Sequence, residues 1–287
     1  MQRSNVMGLS EEIREAIVPD GMVSIWWLGQ ASFVLRTNDQ TIYIDPFLSE
    51  FEGRLIPPPF SPEEAPPASA VLITHDHIDH LDPETIPGLI KNSPEAKFLV
   101  PNPISSQLLD IGVPSEQIIG VQPEDNVSLG SIAVHVTPAM HGESFPPYAY
   151  TFGDPQEGYR FVGYVLEYGD TRIYHAGDTI VFDGLADMLR KLNVDVGLLP
   201  INGRNYFREK NNLVGNMDER EAVELAAEAH ISTIIPMHYD MFEPNLGRPD
   251  ALISYLQRFH PEITCVFLAR FQRFNYFKSP QKLPEVQ

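Results

Sequence analysis

Only one cysteine, Cys265, occurs in 287 residues, so no disulfide can form within the chain. It sits in the apolar run ITCVFLA, where a buried strand position is the simplest reading. A chain without disulfides suits a reducing cytoplasm, which is the expected location. Basic residues are also scarce, with 20 Lys and Arg against 39 Asp and Glu and a formal net charge of -19. Nucleic-acid and anionic-membrane surfaces need clustered cations, so neither partner is expected. No apolar run reaches the roughly 20 residues of a membrane-spanning helix. The opening MQRSNVMGLSEEIREAIVPDG has no apolar stretch of signal-peptide length. Internal repeats, low-complexity tracts and a clean linker are missing as well, so residues 1–287 read as one domain. Hydrophobic residues at 43% and charged residues at 21% are ordinary for a globular core.

The pattern of elements points to an α/β fold. A short helix over 9–17 precedes strands at 22–28, 32–37 and 41–45, and the Pro-rich PPPFSPEEAPP then excludes regular structure. That loop is either a surface connector or a wall beside a site. Strand and helix alternate from AVLITH (70–75) to QIIGVQ, three strands follow between 131 and 178, and alternation resumes to ITCVFLA. Residues 218–230 form a helix, with Asp218 and Glu221 in capping-box spacing and Ala222, Leu225, Ala226 and Ala229 on one apolar stripe. Two β-rich halves, each with helices, imply two sheets packed together with helices outside.

THDHIDHLD, residues 74–82, packs His75, His77, Asp79 and His80 into six positions at a strand end. Neither a strand nor a helix gains stability from such density. Three later strands end in the same chemistry, at His141, Asp178 and His238, and an earlier one at Asp45. Coordination accounts for the set. His75, His77 and His141 would serve one ion, Asp79, His80 and His238 a second, and Asp178 would bridge them. Asp45 would orient a ligating imidazole through a hydrogen bond. His135 and His175 read as packing or supporting residues, and Asp76 and Asp82 as loop-shaping ones. Nitrogen and oxygen donors together suit two divalent ions of Mn, Zn or Fe.

H-x-H-x-D-H, followed by separate His, Asp and His at strand ends and preceded by IDP, resembles the metallo-β-lactamase superfamily. The resemblance implies a four-layer αβ/βα sandwich, with two mixed β-sheets face to face and helices outside. It also implies a metal-dependent hydrolase that attacks with a metal-bound hydroxide, with Asp79 and Asp178 as its catalytic carboxylates. MVSIWWLGQASFVL, YHAGDT, the GNM turn before EAVELA, and IIPMHYDMF are similar to the subgroup that includes L-ascorbate-6-phosphate lactonases. That subgroup implies a manganese-dependent lactonase acting on a phosphorylated sugar lactone. Some of those lactonases carry Asp where this chain has His141, which instead gives the fuller, zinc-like ligand set of the superfamily.

The loop 200–217 gathers Arg204, Arg208 and Lys210 with five asparagines, between a strand end and a helix start. It reads either as a clamp for an anionic substrate or as a solvated polar loop. In the clamp reading Arg204, Asn202 and Asn216 bind substrate, with Arg204 foremost because its fork matches phosphate, and Tyr239 borders the site. Trp26 and Trp27 face opposite ways, Gln30 faces the metal centre or shapes a turn, and Tyr148, Tyr150 and Tyr159 flank a rim loop (146–158). A phosphodiesterase for a small cyclic phosphodiester and a non-catalytic metal-binding module stay open as alternatives, and the sequence does not decide whether the chain forms a homo-oligomer.

Overall fold

Two seven-stranded sheets dominate the computed structural model, which describes residues 8–142 and 150–278. The first sheet runs in the order Arg273–Phe277, Met22–Gly29, Ser32–Arg36, Thr41–Ile44, Ala70–Leu72, Lys97–Pro101, Ile118–Val121. Its first four strands pair antiparallel and the rest parallel. In the second sheet, Thr264–Cys265, Thr233–Met237, Val196–Pro200 and Thr171–His175 pair parallel. Val162–Tyr168, Ile132–Pro138 and Asn126–Leu129 continue it antiparallel. Both sheets are mixed, as expected.

Strand periodicity explains the layers, because successive side chains point to opposite faces. Trp27 joins Ile25, Phe33 and Leu35 in a core shared with Val134, Val165 and Leu198 of the other sheet. Trp26 faces outward with Leu28 and Val34, under a separate cluster that includes Ile13, Ile86, Leu89 and Leu108. Those four belong to the helices Leu9–Glu15, Thr85–Asn92 and Ser105–Ile111. On the far side, the helices Leu185–Lys191, Glu219–Ala229 and Pro249–Phe259 bury their apolar stripes on the second sheet. The result is helix, sheet, sheet, helix. No helix among the described residues is long and apolar enough to cross a membrane.

The capping box forms as the spacing predicts. Asp218 accepts from the Glu221 backbone N–H at 2.9 Å, and Glu221 returns the bond to Asp218 N–H at 3.0 Å. Ala222, Leu225, Ala226 and Ala229 are buried. Elsewhere the sequence misleads. Strand 70–75 pairs only over Ala70–Leu72, because Thr74 and His75 have left the ladder to enter the site. ITCVFLA pairs only over Thr264–Cys265. Two strands escape the hydrophobic pattern: Asn126–Leu129, and Arg273–Phe277, which covers the edge of Met22–Gly29 with alternating exposure. The loop 200–217 contains a short helix, Tyr206–Lys210, capped by Asn205.

Candidate metal centre

The first sheet supplies Asp45 and the run 74–80 just past two adjacent parallel strands, and the second supplies Asp178 and His238 just past two parallel strands that flank Val196–Pro200. His141 lies in a two-stranded ribbon, paired with Thr151. The backbone is bent hard here. Gln30, Asp45 and His238 all have positive φ, at 53°, 45° and 57°, a conformation that costs non-glycine residues roughly 1–3 kcal/mol each. Gly177 (φ 59°) is required outright, since a Cβ there would lie 2.8 Å from Val162 O and 2.9 Å from Thr74 Cβ.

These bends bring seven side chains together. His75, His77, His141 and Asp178 each offer a donor atom within 4.8 Å of one another, and so do Asp79, His80 and His238. Asp178 lies against both groups. Its Oδ1 is 3.4 Å from His80 Nε2, and its Oδ2 is 3.5 Å from His141 Nε2 and 3.3 Å from His238 Nε2. Asp79 Oδ2 lies 3.4 Å from His238 Nε2.

Supporting bonds fix which nitrogen faces the centre. Asp45, fully buried, accepts from His80 Nδ1 at 2.7 Å and from the Thr74 N–H and hydroxyl at 2.8 and 2.7 Å. With its proton given to Asp45, the Thr74 hydroxyl accepts from His75 Nδ1 at 3.0 Å. One carboxylate thereby orients two rings: the Nε2 of His75 is left with a lone pair, and that of His80 gains one once a cation displaces the proton that Asp178 and Asp79 favour on it. Both atoms, and Asp178 Oδ1, are buried without a hydrogen-bond partner among the described residues. Buried polar atoms are rarely left so. Divalent cations suit this donor set, because each would satisfy the orphaned lone pairs at once. Removing Asp45 should therefore do more than loosen one ligand. Asp45→Ala is expected to cost about 3–5 kcal/mol in a urea melt, as for one partner lost from a buried pair. A loss under about 1 kcal/mol would show that His80 and Thr74 satisfy themselves elsewhere.

Electrostatics divides the cluster. Burial holds His75, His77 and His141 below the ordinary imidazole range, His141 at about 3, with neighbouring imidazoles adding to the effect. Burial also opposes charge on His80 and His238, but Asp178 and Asp79 outweigh it, raising His80 well above its ordinary value and His238 to about 10. Asp178 is buried too, yet His238 and His80 hold it well below the usual carboxylate range.

Gln30 fills both of its readings, lying in the turn between two strands with φ 53° and aiming its side chain at the centre. Its amide nitrogen donates to Asp79 Oδ2 at 2.7 Å and lies 3.2 Å from His238 Nε2, while its backbone O accepts from His238 N–H at 2.9 Å. Thr74, which sequence reasoning passed over, had one signal: it is the residue next to the motif. His175 is a supporting residue, with Nε2 donating to Ala31 O at 2.8 Å, and His135 pairs with Glu167 at 2.8 Å away from the centre. Asp76 holds Arg160 and Gln107, and Asp82 holds Ser49 N–H and the Thr85 hydroxyl, both shaping the loop.

A cavity of about 390 Å³ opens over the cluster, floored by His77, Asp79, His141, Asp178 and His238. The loop 200–217 lines it with Asn212, Leu213 and Val214, and not with Arg204, Asn202 or Asn216 of the expected anion clamp. Arg204 makes a two-pronged ion pair with Glu221, both contacts 2.6 Å, and donates to Asn216 O at 3.0 Å. That carboxylate neutralises the fork that was to read phosphate. Arg208 donates to the carbonyls of Asn202 and Leu246. Asn216 and Asn202, both buried, are links in an amide chain that ends on Asn245, the member that reaches the cavity. Tyr239 stacks on Trp27 at 5.2 Å instead of bordering the opening. The Pro-rich loop covers the helix Thr85–Asn92, with Pro62 against Gly88, and is not a wall of this cavity. Of the rim tyrosines, Tyr150 bonds Glu209 at 3.1 Å, Tyr159 is exposed, and Tyr148 lies outside the described residues.

The sequence model of a family described as "Beta-lactamase superfamily domain" matches residues 40–239. A protein of Myxococcus xanthus named UPF0173 metal-dependent hydrolase is 31% identical over 251 residues, covering 83% of this chain and 78% of its own. Among solved structures, Igni18, a metallo hydrolase from the archaeon Ignicoccus hospitalis, superposes with a TM-score of 0.66 at 21% identity, over 90% of this chain and 100% of its own. An isothiocyanate hydrolase from Delia radicum gut bacteria superposes at 0.69 and 19% identity, over 88% and 98%.

Proposed function

The chain belongs to the metallo-β-lactamase superfamily of metal-dependent hydrolases, and from that premise we propose that it opens a carbonyl ester bond, in a lactone or a linear ester, at a centre of two divalent ions. The observation that carries this reading is the pair of donor groups sharing Asp178 on the floor of one cavity. His75, His77 and His141 would hold one ion and Asp79, His80 and His238 the other. Mn, Zn and Fe all suit these donors. The bound ions would supply a water acidified toward a pKa of about 7 and a positive field for the developing oxyanion.

The chain's own groups do the rest. Asp45 and Thr74 hold the His80 and His75 rings in the ligating tautomer. Gln30 donates to Asp79 Oδ2 and so fixes that carboxylate beside His80 and His238, where it would help hold an ion and orient the water the ions would supply. Phosphorus chemistry has less support, because no Lys or Arg is among the described residues lining the cavity to take a phosphate's charge. The same point separates lactone opening, which we retain, from the phosphorylated sugar that the subgroup resemblance implies.

The experiment is a panel of lactones, aryl esters and cyclic nucleotides, run on protein reconstituted separately with Mn, Zn and Fe. Turnover of a lactone or ester that chelator abolishes and metal restores is expected. Cyclic nucleotide cleavage without ester cleavage would overturn the choice of carbonyl, and full metal occupancy without turnover would favour the binding module.

A further inference from the structure

Above its charged floor the cavity is walled mainly by Phe51, Ile78, Leu213, Val214, Phe242 and Pro244, with the amides Asn212 and Asn245 as its polar members. This wall is built. Phe47, Phe51 and Phe242 form a mutually packed trio, with ring centroids 5.9, 6.0 and 6.3 Å apart. Arg54 locks the trio, its guanidinium 4.3 Å over the Phe47 ring. Its Nε donates to Ile56 O at 3.0 Å, and its Nη1 donates to Phe47 O and Ser49 O at 3.1 and 3.0 Å. Arg54 also bridges Phe242 through the backbone. Across the opening, Leu213 N–H bonds Arg208 O at 2.9 Å. The nearby cations Arg204 and Arg208 are held by Glu221 and by carbonyls, and a chain of net charge -19 repels anions at longer range.

We infer that the substrate is an uncharged ester or lactone bearing an apolar substituent, which lies against Phe51, Phe242 and Leu213 while its carbonyl reaches the floor. This rests on the hydrolytic reading of the same cavity. The reaction consumes one water. Its oxygen bonds the carbonyl carbon, the carbon–oxygen bond to the alkoxide breaks, one water proton goes to that alkoxide, and the other is released as the carboxylate forms. Selectivity follows from desolvation. A wall with two amides and no cation returns little to a phosphate stripped of water, whereas each methylene its apolar part covers favours binding by up to roughly fourfold, the equivalent of ~0.8 kcal/mol.

The test uses the whole chain and two readouts. Zinc-loaded protein is assayed on γ-lactones with methyl to hexyl side chains and on 6-phosphogluconolactone. Binding of the matching 5-alkyl-pyrrolidinones, uncharged lactams, is measured by calorimetry on loaded and metal-free protein. The expected result is that kcat/KM and lactam affinity both rise roughly two- to fourfold per methylene, with the phosphorylated lactone the poorest substrate. Phe242→Ser should flatten both series, and Leu213→Lys should improve the phosphorylated lactone. Faster turnover of that lactone by the unaltered protein would overturn the inference while leaving the hydrolase reading intact. A chain-length gradient in lactam binding without turnover would leave the apolar binding wall standing and overturn the ester-hydrolase reading, and with it the assignment of the ligand as a substrate. Flat binding together with a Phe51→Ser change in elution volume would show that the wall seats a second copy of the chain, and would overturn the inference.

Discussion

Asp178→Ala is expected to lower hydrolysis at least ~10³-fold if, as proposed, it helps hold the ions that would supply the acidified water and the field on the oxyanion. Asp178 reaches both donor groups at short range, with Oδ1 3.4 Å from His80 Nε2 and Oδ2 3.5 Å from His141 Nε2 and 3.3 Å from His238 Nε2. Metal content should fall from two ions per chain to one or fewer, read by atomic emission on dialysed protein. His77→Ala removes a donor from one group only, so it should release one ion and leave the second measurable. The two variants thus separate a shared ligand from a private one. Equal metal content in Asp178→Ala and the unaltered protein would mean that Asp178 does not bridge.

The second large effect is on the pH dependence of metal uptake. In the metal-free protein His238 keeps its proton up to about pH 10, and His80 is likewise raised, since Asp178 and Asp79 outweigh the burial that opposes their charge. A cation binds only the deprotonated ring, so it must expel those protons. Affinity at the Asp79, His80 and His238 group should therefore rise with pH through the neutral range, roughly tenfold per pH unit for each proton released. His75, His77 and His141 are shifted the other way and are already neutral at pH 7. Their site should fill first and show little pH dependence between 7 and 9. Zinc titration in weak buffer at pH 7.5, with proton release followed by an indicator, checks this. Near zero protons are expected for the first equivalent and more than one for the second. The reverse order would place the protonated rings in the wrong half.

The donor set was legible because coordination constrains residue type and order together. Few alternatives explain His75, His77, Asp79 and His80 in one short run, and His141, Asp178 and His238 each follow a readable strand. Asp45 was legible for the same reason. Thr74 was not, since a threonine before a motif is common, and the sequence left Gln30 between the centre and a turn, which the bent backbone lets it serve together. The anion clamp misled because charge along a sequence does not show what each charge pairs with. Arg204 and Glu221 are 17 residues apart, and Glu221 was already assigned to the helix cap; it serves both. The apolar wall escaped notice because Phe51, Leu213 and Phe242 come from three separate loops with no shared pattern. The strand Arg273–Phe277 went unread although RFNYF is rich in aromatics; Phe274 and Tyr276 are half-buried between exposed neighbours, as suits an edge.

The most direct test is an anomalous-difference map from crystals soaked in zinc, recorded on either side of the metal's absorption edge. The account predicts two peaks beneath the cavity. One should lie among His75, His77 and His141, the other among Asp79, His80 and His238, with an Asp178 oxygen reaching each. A single peak, peaks that leave Asp178 untouched, or zinc bound elsewhere while these seven side chains stay uncoordinated would contradict it.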